Sequence, residues 1–267
     1  MKVNGKVIVV TGAGSGMGRE LALELTRRGA IIAGVDKRKE SLDETTAMVT
    51  KLGGTMAEFP LDITDATAVA ALPAAVEEKL GAADGLVNNA GIIQPFVKIN
   101  DLDIADAERV MNVNFYGPLR LIKAFLPVLL ARPEGHILNV SSMGAYAPVP
   151  GQSLYGASKA AIKLLTEGLR SELLDTKVGV TVVFPGATAT NIAANSGMTA
   201  MTADSPDAAK FTQTPADVAA KMMVDAIENN TPRLTTGKDA MTMDILTRLN
   251  PVWAAGVIYK QMKSLLS

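Results

Sequence analysis

The feature that most restricts how this chain can fold is a repeated alternation of short apolar runs with longer segments of helical spacing. Val7-Ile8-Val9-Val10 leads into the Ala-, Leu-, Glu- and Arg-rich stretch Met17 to Arg28, and Ile31 to Val35 leads into Glu40 to Leu52. The alternation continues through Leu86-Val87, Ile137-Leu138-Asn139-Val140 and Val180-Thr181-Val182-Val183. A strand that is apolar throughout is covered on both faces, and a helix between successive strands forces a parallel crossover. The pattern therefore predicts an α/β fold with a doubly wound parallel sheet in three layers. Gly29 stands where the first helix should stop, and Pro127 and Pro133 are expected to interrupt the helix after Gly117 near its end. No internal repeat, linker or block of like charge divides the chain, so a single domain over residues 1–267 is expected. Two segments depart from the pattern. Residues 187–213, rich in Ala, Thr, Met and Ser with no clear period, suit a lid over a site. Residues 240–266 read as two short helices separated at Pro251.

Composition narrows the function. With 26 Lys and Arg against 27 Asp and Glu, there is no basic excess of the kind that nucleic-acid binders carry, and no such partner is expected. The absence of cysteine removes disulfides, thiolate nucleophiles and zinc–sulfur sites together, and a single histidine leaves little for a metal beyond carboxylates. No metal site is expected. The apolar run near the N-terminus is too short for a signal-peptide core, and no uninterrupted apolar run reaches ~18 residues. A cytoplasmic protein without a transmembrane segment is the resulting expectation.

Between the first strand and the first helix lies Thr11-Gly12-Ala13-Gly14-Ser15-Gly16-Met17-Gly18. Glycines are needed where a tight turn brings backbone amides against a pyrophosphate, and a helix N-terminus adds partial positive charge. The spacing is neither G-x-G-x-x-G nor that of a P-loop, since no Lys-Ser/Thr follows; its position between strand and helix still points to a nucleotide. Asp36 falls at the end of the second strand, about 20 residues past the glycines, where a carboxylate accepts hydrogen bonds from ribose hydroxyls. Its charge opposes a 2′-phosphate and so favours NAD, while Lys37, Arg38 and Lys39 keep NADP possible.

Tyr155 and Lys159 stand four apart, on one face of a helix. A phenol is a poor base at neutral pH, and a neighbouring cation is expected to lower its pKa. Such a pair is common by chance; its company is not. Ser141-Ser142 ends the strand Ile137–Val140, Asn88-Asn89-Ala90-Gly91 ends the strand holding Leu86-Val87, Asn114 sits in a helical segment, and Pro185-Gly186 follows the last run. In this order and near this spacing, T-G-x-x-x-G-x-G, N-N-A-G, the helical Asn, the Ser, Y-x-x-x-K and P-G resemble the short-chain dehydrogenase/reductase family, strongly over residues 5 to about 190.

The resemblance implies a Rossmann fold and an NAD(P)-dependent oxidoreductase moving a hydride between a nicotinamide cofactor and an alcohol or ketone carbon. It implies Tyr155 as general acid/base, Ser142 orienting the substrate oxygen, Lys159 holding the nicotinamide ribose, and Asn114 supporting a water chain to solvent. It further implies cofactor contacts from Gly12, Ser15, Gly16, Met17, Gly18, Asp36, Asp62, Ile63, Asn89, Ala90, Gly91, Pro185, Gly186, Thr188 and Thr190, with Thr190 or the Thr188 backbone at the carboxamide.

Gln94, Met143, Tyr146 and Gln152 are expected to face the substrate. Few residues there are charged and no Arg stands out as a clamp, so the substrate is expected to be a neutral, largely apolar secondary alcohol or ketone. His136 and Ser141 read as structural. The family's frequent T-G-x-x-x-x-x-D-G-G ending is missing. In its place a stripe of Leu246, Leu249, Trp253, Val257, Ile258, Met262 and Leu265 could pack on the core, form a dimer or touch a membrane surface, leaving a homo-oligomer possible. A non-catalytic dinucleotide-binding sensor or scaffold with the same fold is the alternative reading.

Overall fold

The computed structural model describes residues 1–189, 192, 196 and 213–263. Strands and helices alternate as β1 (Val7–Thr11), α1 (Gly16–Arg27), β2 (Ile31–Asp36), α2 (Lys39–Lys51), β3 (Met56–Pro60), α3 (Ala66–Leu80) and β4 (Gly85–Asn88). Next come α4 (Ile104–Met111), a π-helical turn (Asn112–Tyr116), α5 (Gly117–Leu130), β5 (Gly135–Val140), α6 (Ser153–Glu172) and β6 (Val178–Pro185). The described chain continues with α7 (Ala216–Glu228), β7 (Arg233–Thr236), α8 (Lys238–Leu249) and α9 (Pro251–Met262). The seven strands form one parallel sheet in the order β3-β2-β1-β4-β5-β6-β7.

The burial of β1, β4 and β5 at every position follows from helices on both faces. On one face Val69, Leu72 and Val76 of α3, Leu121, Ile122, Phe125 and Leu129 of α5, and Leu169 of α6 pack on Val9, Leu86, Ile137 and Val180. On the other, Leu21 and Leu25 of α1, Leu42 of α2, and Ala219, Met223 and Ile227 of α7 pack on Ile8, Ile32, Val87, Leu138 and Val183. The sheet is thus the middle of three layers.

Two details differ from the sequence reading. Pro127 lies inside α5, which runs on to Leu130; so near the helix end, the missing amide removes one bond without breaking the helix. The continuous helical stretch Ile104–Leu130 is long and apolar enough to cross a membrane by length and composition, although its apolar side packs into the core through Val110, Leu121, Ile122, Phe125 and Leu129. The lid expected at 187–213 falls largely outside the described residues.

The strand order reverses between β1 and β4, because β2 lies on one side of β1 and β4 on the other. The carboxyl ends of strands at such a switch point leave a crevice where ligands bind.

Candidate active site

The crevice is an open groove of about 960 Å³, solvent space included. Gly12, Ser15, Gly16 and Met17 from the β1–α1 turn, Asp36 at the end of β2, Asp62 and Ile63 after β3, and Asn89, Ala90 and Gly91 after β4 all line it. The turn is built for close approach. Gly12 has φ +68°, which only glycine adopts cheaply, and a Cβ on Gly18 would collide with the Gly12 carbonyl and with the Asn89 amide. Thr11, Asn89 and Arg19, the last given no role by the sequence, hold the turn in place. Thr11 Oγ1 accepts from the backbone amides of Asn89 and Ala90 at 3.0 Å each, Asn89 Nδ2 donates to the Thr11 carbonyl at 3.0 Å, and Arg19 donates to the Gly14 carbonyl at 2.6 and 3.2 Å. Asp36 Oδ2 accepts from the Gly14 amide at 3.1 Å and Oδ1 from the Arg38 amide at 3.0 Å, so the carboxylate is fixed at the rim. Lys37 and Arg38 line the same rim, and Arg38 donates to Ser15 Oγ at 3.1 Å.

Helix α6 carries Tyr155 and Lys159 on one face toward the end of β5, where Ser142 begins a short 3₁₀ turn, Met143–Ala145. The Ser142 hydroxyl and the Tyr155 ring flank Gly144, each 3.4 Å from where a Cβ on that glycine would stand, and Ser142 Oγ accepts from the Gly144 amide at 3.1 Å. Lys159 Nζ lies 5.9 Å from the Tyr155 ring centroid and donates to the Val140 carbonyl at 3.0 Å. A Cβ on Gly91 would stand 3.1 Å from that nitrogen, so the amine abuts the groove. Burial pushes the Lys159 ammonium down to about 8, and burial pushes the Tyr155 phenol above its ordinary value, the Ser142 contact offsetting part of the rise. The sequence reading expected a lowered phenol; the desolvation of both groups outweighs the attraction of a cation placed beside the ring.

Asn114, in the π-helical turn, spends its amide on the protein. Oδ1 accepts from the Ile92 amide at 2.9 Å, while Nδ2 donates to the Ile92 carbonyl at 2.9 Å and to Ser158 Oγ at 3.0 Å. Its side chain thus ties the segment after Gly91 to α6. The wide π turn is what brings it there, and no local sequence signal announced the turn.

Gln94 and Gln152, expected to face the substrate, are both buried and bond to the protein, although Gln152 Oε1 has no partner among the described residues. Gln94 is fully buried; its Oε1 accepts from the backbone amides of Leu154 (2.8 Å) and Tyr155 (2.9 Å), and its Nε2 donates to the Gly151 carbonyl at 2.9 Å. Gln152 Nε2 donates back to the Gln94 carbonyl at 2.8 Å. The two amides clamp the N-terminus of α6, whose first amides have no partner within the helix. Tyr146 also turns inward, its hydroxyl donating to the Ala240 carbonyl at 2.9 Å and its ring 5.5 Å from that of Phe184, while Met143 is partly exposed on the 3₁₀ turn. Beyond Pro185, the Gly186 amide donates to the Thr236 carbonyl at 2.8 Å and Thr188 Oγ1 donates to the Gly186 carbonyl at 3.1 Å. Thr190 lies outside the described residues. His136 is buried at the start of β5 with Nε2 2.9 Å from Thr181 Oγ1, away from the groove.

A glycine-lined groove at the switch point of a parallel sheet, with a Ser–Tyr–Lys cluster beside it, defines a Rossmann-type oxidoreductase. A family model of short-chain dehydrogenases matches residues 6–201, and the chain belongs to that family. It is 37% identical over 256 residues to SadH of Mycobacterium tuberculosis, a provisionally assigned oxidoreductase, covering 92% of this chain and 91% of that protein. It is 32% identical to a fatty acyl-CoA reductase of the same organism, covering 98% of this chain and 87% of the relative. A crystal structure of a short-chain dehydrogenase from Burkholderia cenocepacia in complex with NADP is similar at a TM-score of 0.80 and 26% identity, covering 97% of this chain and 99% of that one.

Proposed function

We propose that this chain moves a hydride between a nicotinamide dinucleotide and the carbon of a neutral, largely apolar secondary alcohol or ketone, with Tyr155 as proton donor and acceptor. The observation that carries the proposal is the convergence of the Ser142 hydroxyl and the Tyr155 ring around Gly144, beside a lysine whose amine abuts the groove. The fit to a dinucleotide rests on the glycine turn, where side chains would fill the cradle, and on the buried Asn89 Oδ1, which has no partner among the described residues. A nicotinamide ring, when bound, supplies or accepts the hydride.

The chain's own residues do the rest. In the reducing direction the phenol donates its proton to the substrate oxygen; in the oxidising direction it takes that proton back. A phenol held protonated by burial is ready for the first task. Ser142 holds the substrate oxygen by a hydroxyl hydrogen bond, an orienting and electrostatic role. Lys159, drawn down toward neutral pH, would hold the ribose hydroxyls and return protons to the tyrosine. Asp36 on the rim favours NAD through its negative charge; Lys37 and Arg38 are the features that would serve NADP instead. The apolar substrate is supported by the lack of a charged clamp near Met143 among the described residues and by the similar protein named for fatty acyl substrates. A purely dinucleotide-binding sensor has no use for this Ser–Tyr–Lys cluster.

A substrate panel tests the reading. Ketones and secondary alcohols of increasing alkyl length should be turned over with kcat/KM rising with chain length, followed by NADH or NADPH absorbance. Turnover confined to short anionic acids would refute the substrate class.

A further inference from the structure

We infer that the outer face of the C-terminal helices α8 and α9 docks on an anionic lipid surface, beside the entrance to the catalytic site. Fifteen large apolar residues are exposed among the described residues, and six of them fall on these two helices: Met241, Ile245, Leu249, Val252, Trp253 and Tyr259. They are well exposed, Leu249 at 78% and Val252 at 83%. Met241, Ile245 and Leu249 follow one another at four-residue steps and so form a row along α8. The row reaches the corner at Asn250, where Val252 and Trp253 continue it into α9. A concentration of this kind marks an interaction surface, whereas scattered exposed apolar residues need no explanation.

The charges around the row indicate what covers it. Lys238, Arg248, Lys260 and Lys263 are all exposed, and no exposed acid accompanies them among the described residues of this segment. Its two carboxylates are occupied: Asp244 accepts from Arg233 at 2.9 Å and from the exposed Arg248 at 3.0 Å, offsetting part of that charge, and Asp239 accepts from the Ala187 amide at 2.7 Å, which leaves the three lysines in excess. The face is therefore apolar and cationic within a chain whose formal net charge is −1. Two such faces brought together about a two-fold axis would set cation against cation. An anionic bilayer surface satisfies both features, with apolar side chains entering the acyl boundary and the lysines meeting headgroups. Trp253 and Tyr259 are also the side chains that favour the bilayer interface.

The position gives the contact a use. The first turn of α8 packs beside the short turn that Ser142 begins, since the Ala240 carbonyl accepts from the Tyr146 hydroxyl and Asp239 holds the segment after Gly186. Docking would bring the catalytic mouth to the lipid boundary, where an apolar substrate is concentrated. The docking itself does not depend on the chemistry proposed above.

Trp253 is the single tryptophan of the chain and reports on this face directly. Full-length protein is mixed with vesicles of phosphatidylcholine alone or with 30% phosphatidylglycerol, and both tryptophan emission and cosedimentation are read. A blue shift with binding to the anionic vesicles is expected. Ile245→Glu should abolish binding, and the double variant Lys260→Gln/Lys263→Gln should weaken it roughly 30-fold, at about fivefold for each cation near the surface. Leu174→Glu, at an exposed apolar site elsewhere, should bind as the unaltered protein does. No binding to either vesicle, equal binding to both, or a blue shift without lipid that follows protein concentration and a doubled mass would each overturn the inference. Neither readout needs turnover, so an active protein that ignores vesicles and an inactive one that docks remain distinct results.

Discussion

Replacing Gln94 by leucine tests the clamp that seats the catalytic helix. Leucine fills nearly the same volume but neither donates nor accepts, so the amides of Leu154 and Tyr155 and the Gly151 carbonyl all lose their partner. An orphaned buried polar group costs about 1–3 kcal/mol. Leu154 and Tyr155 are only partly buried and recover some hydration, whereas Gly151 is buried, so the net loss should be about 3 kcal/mol. At roughly 2–4 °C per kcal/mol for a domain of this size, Tm should fall by about 6–12 °C. One of the released groups is the backbone of Tyr155 itself, and sub-ångström displacement of a catalytic group is costly; kcat should drop about 10–100-fold. Dinucleotide Kd should stay within about twofold, because Asp36 and the glycine turn are untouched. Gln94→Glu, whose carboxylate still accepts from both helix amides, should recover most of kcat and little of Tm. The assay is steady-state kinetics with both substrates, paired with thermal unfolding. An unchanged kcat with a raised substrate KM would refute the clamp and return Gln94 to substrate contact.

Other outcomes follow from the same structure. Gly18→Ala places a methyl against the Gly12 carbonyl, so dinucleotide binding measured by calorimetry should fall by at least tenfold; retention of full affinity would exclude the close approach. Lys159→Met should abolish turnover yet raise Tm at pH 7. Its amine, held down to about 8 by burial, carries a cost of about 3 kcal/mol in the protonated form, part of which is offset by the lost bond to the Val140 carbonyl. Because the unfolded chain keeps that proton up to its ordinary value, native stability should rise with pH through the window from about 8 to 10.5, and the variant should lose that slope. His136, lowered by burial to about 3, adds a limb of the same sign on the acid side. Below pH 6.5 the unfolded chain takes up a proton that the native chain refuses, so stability should fall by about 1.4 kcal/mol per pH unit toward pH 3. Denaturant titrations of His136→Gln should show a shallower acid limb; an identical limb would remove His136 from the account.

What could be read from the chain in advance, and what could not, divides along physical lines. Interior strands such as β1 and β5 carry an apolar signature because both faces are covered. The edge strands Met56–Pro60 and Arg233–Thr236 were not read, because one side of each is free and residues such as Glu58 and Arg233 are tolerated there. The groove was legible because its demands are local: glycines at a turn, a carboxylate at a strand end, a phenol and an amine one helical turn apart. Gln94 and Gln152 gave no such signal. They are 58 residues apart and their roles exist only once the segment after β4 meets the start of α6. A polar residue near a reactive tyrosine then looks like a substrate contact. The phenol pKa erred for the same reason, since spacing reveals a charge partner but not the burial that opposes it.

The central claim is that Tyr155 carries the proton while the groove holds the cofactor. Its most direct test compares the unaltered protein with Tyr155→Phe, measuring dinucleotide Kd by fluorescence and single-turnover oxidation of a secondary alcohol. The account predicts an unchanged Kd and a rate lower by about 10²–10⁴-fold, the share a positioned general base supplies. A variant that oxidises the alcohol at the original rate would contradict it.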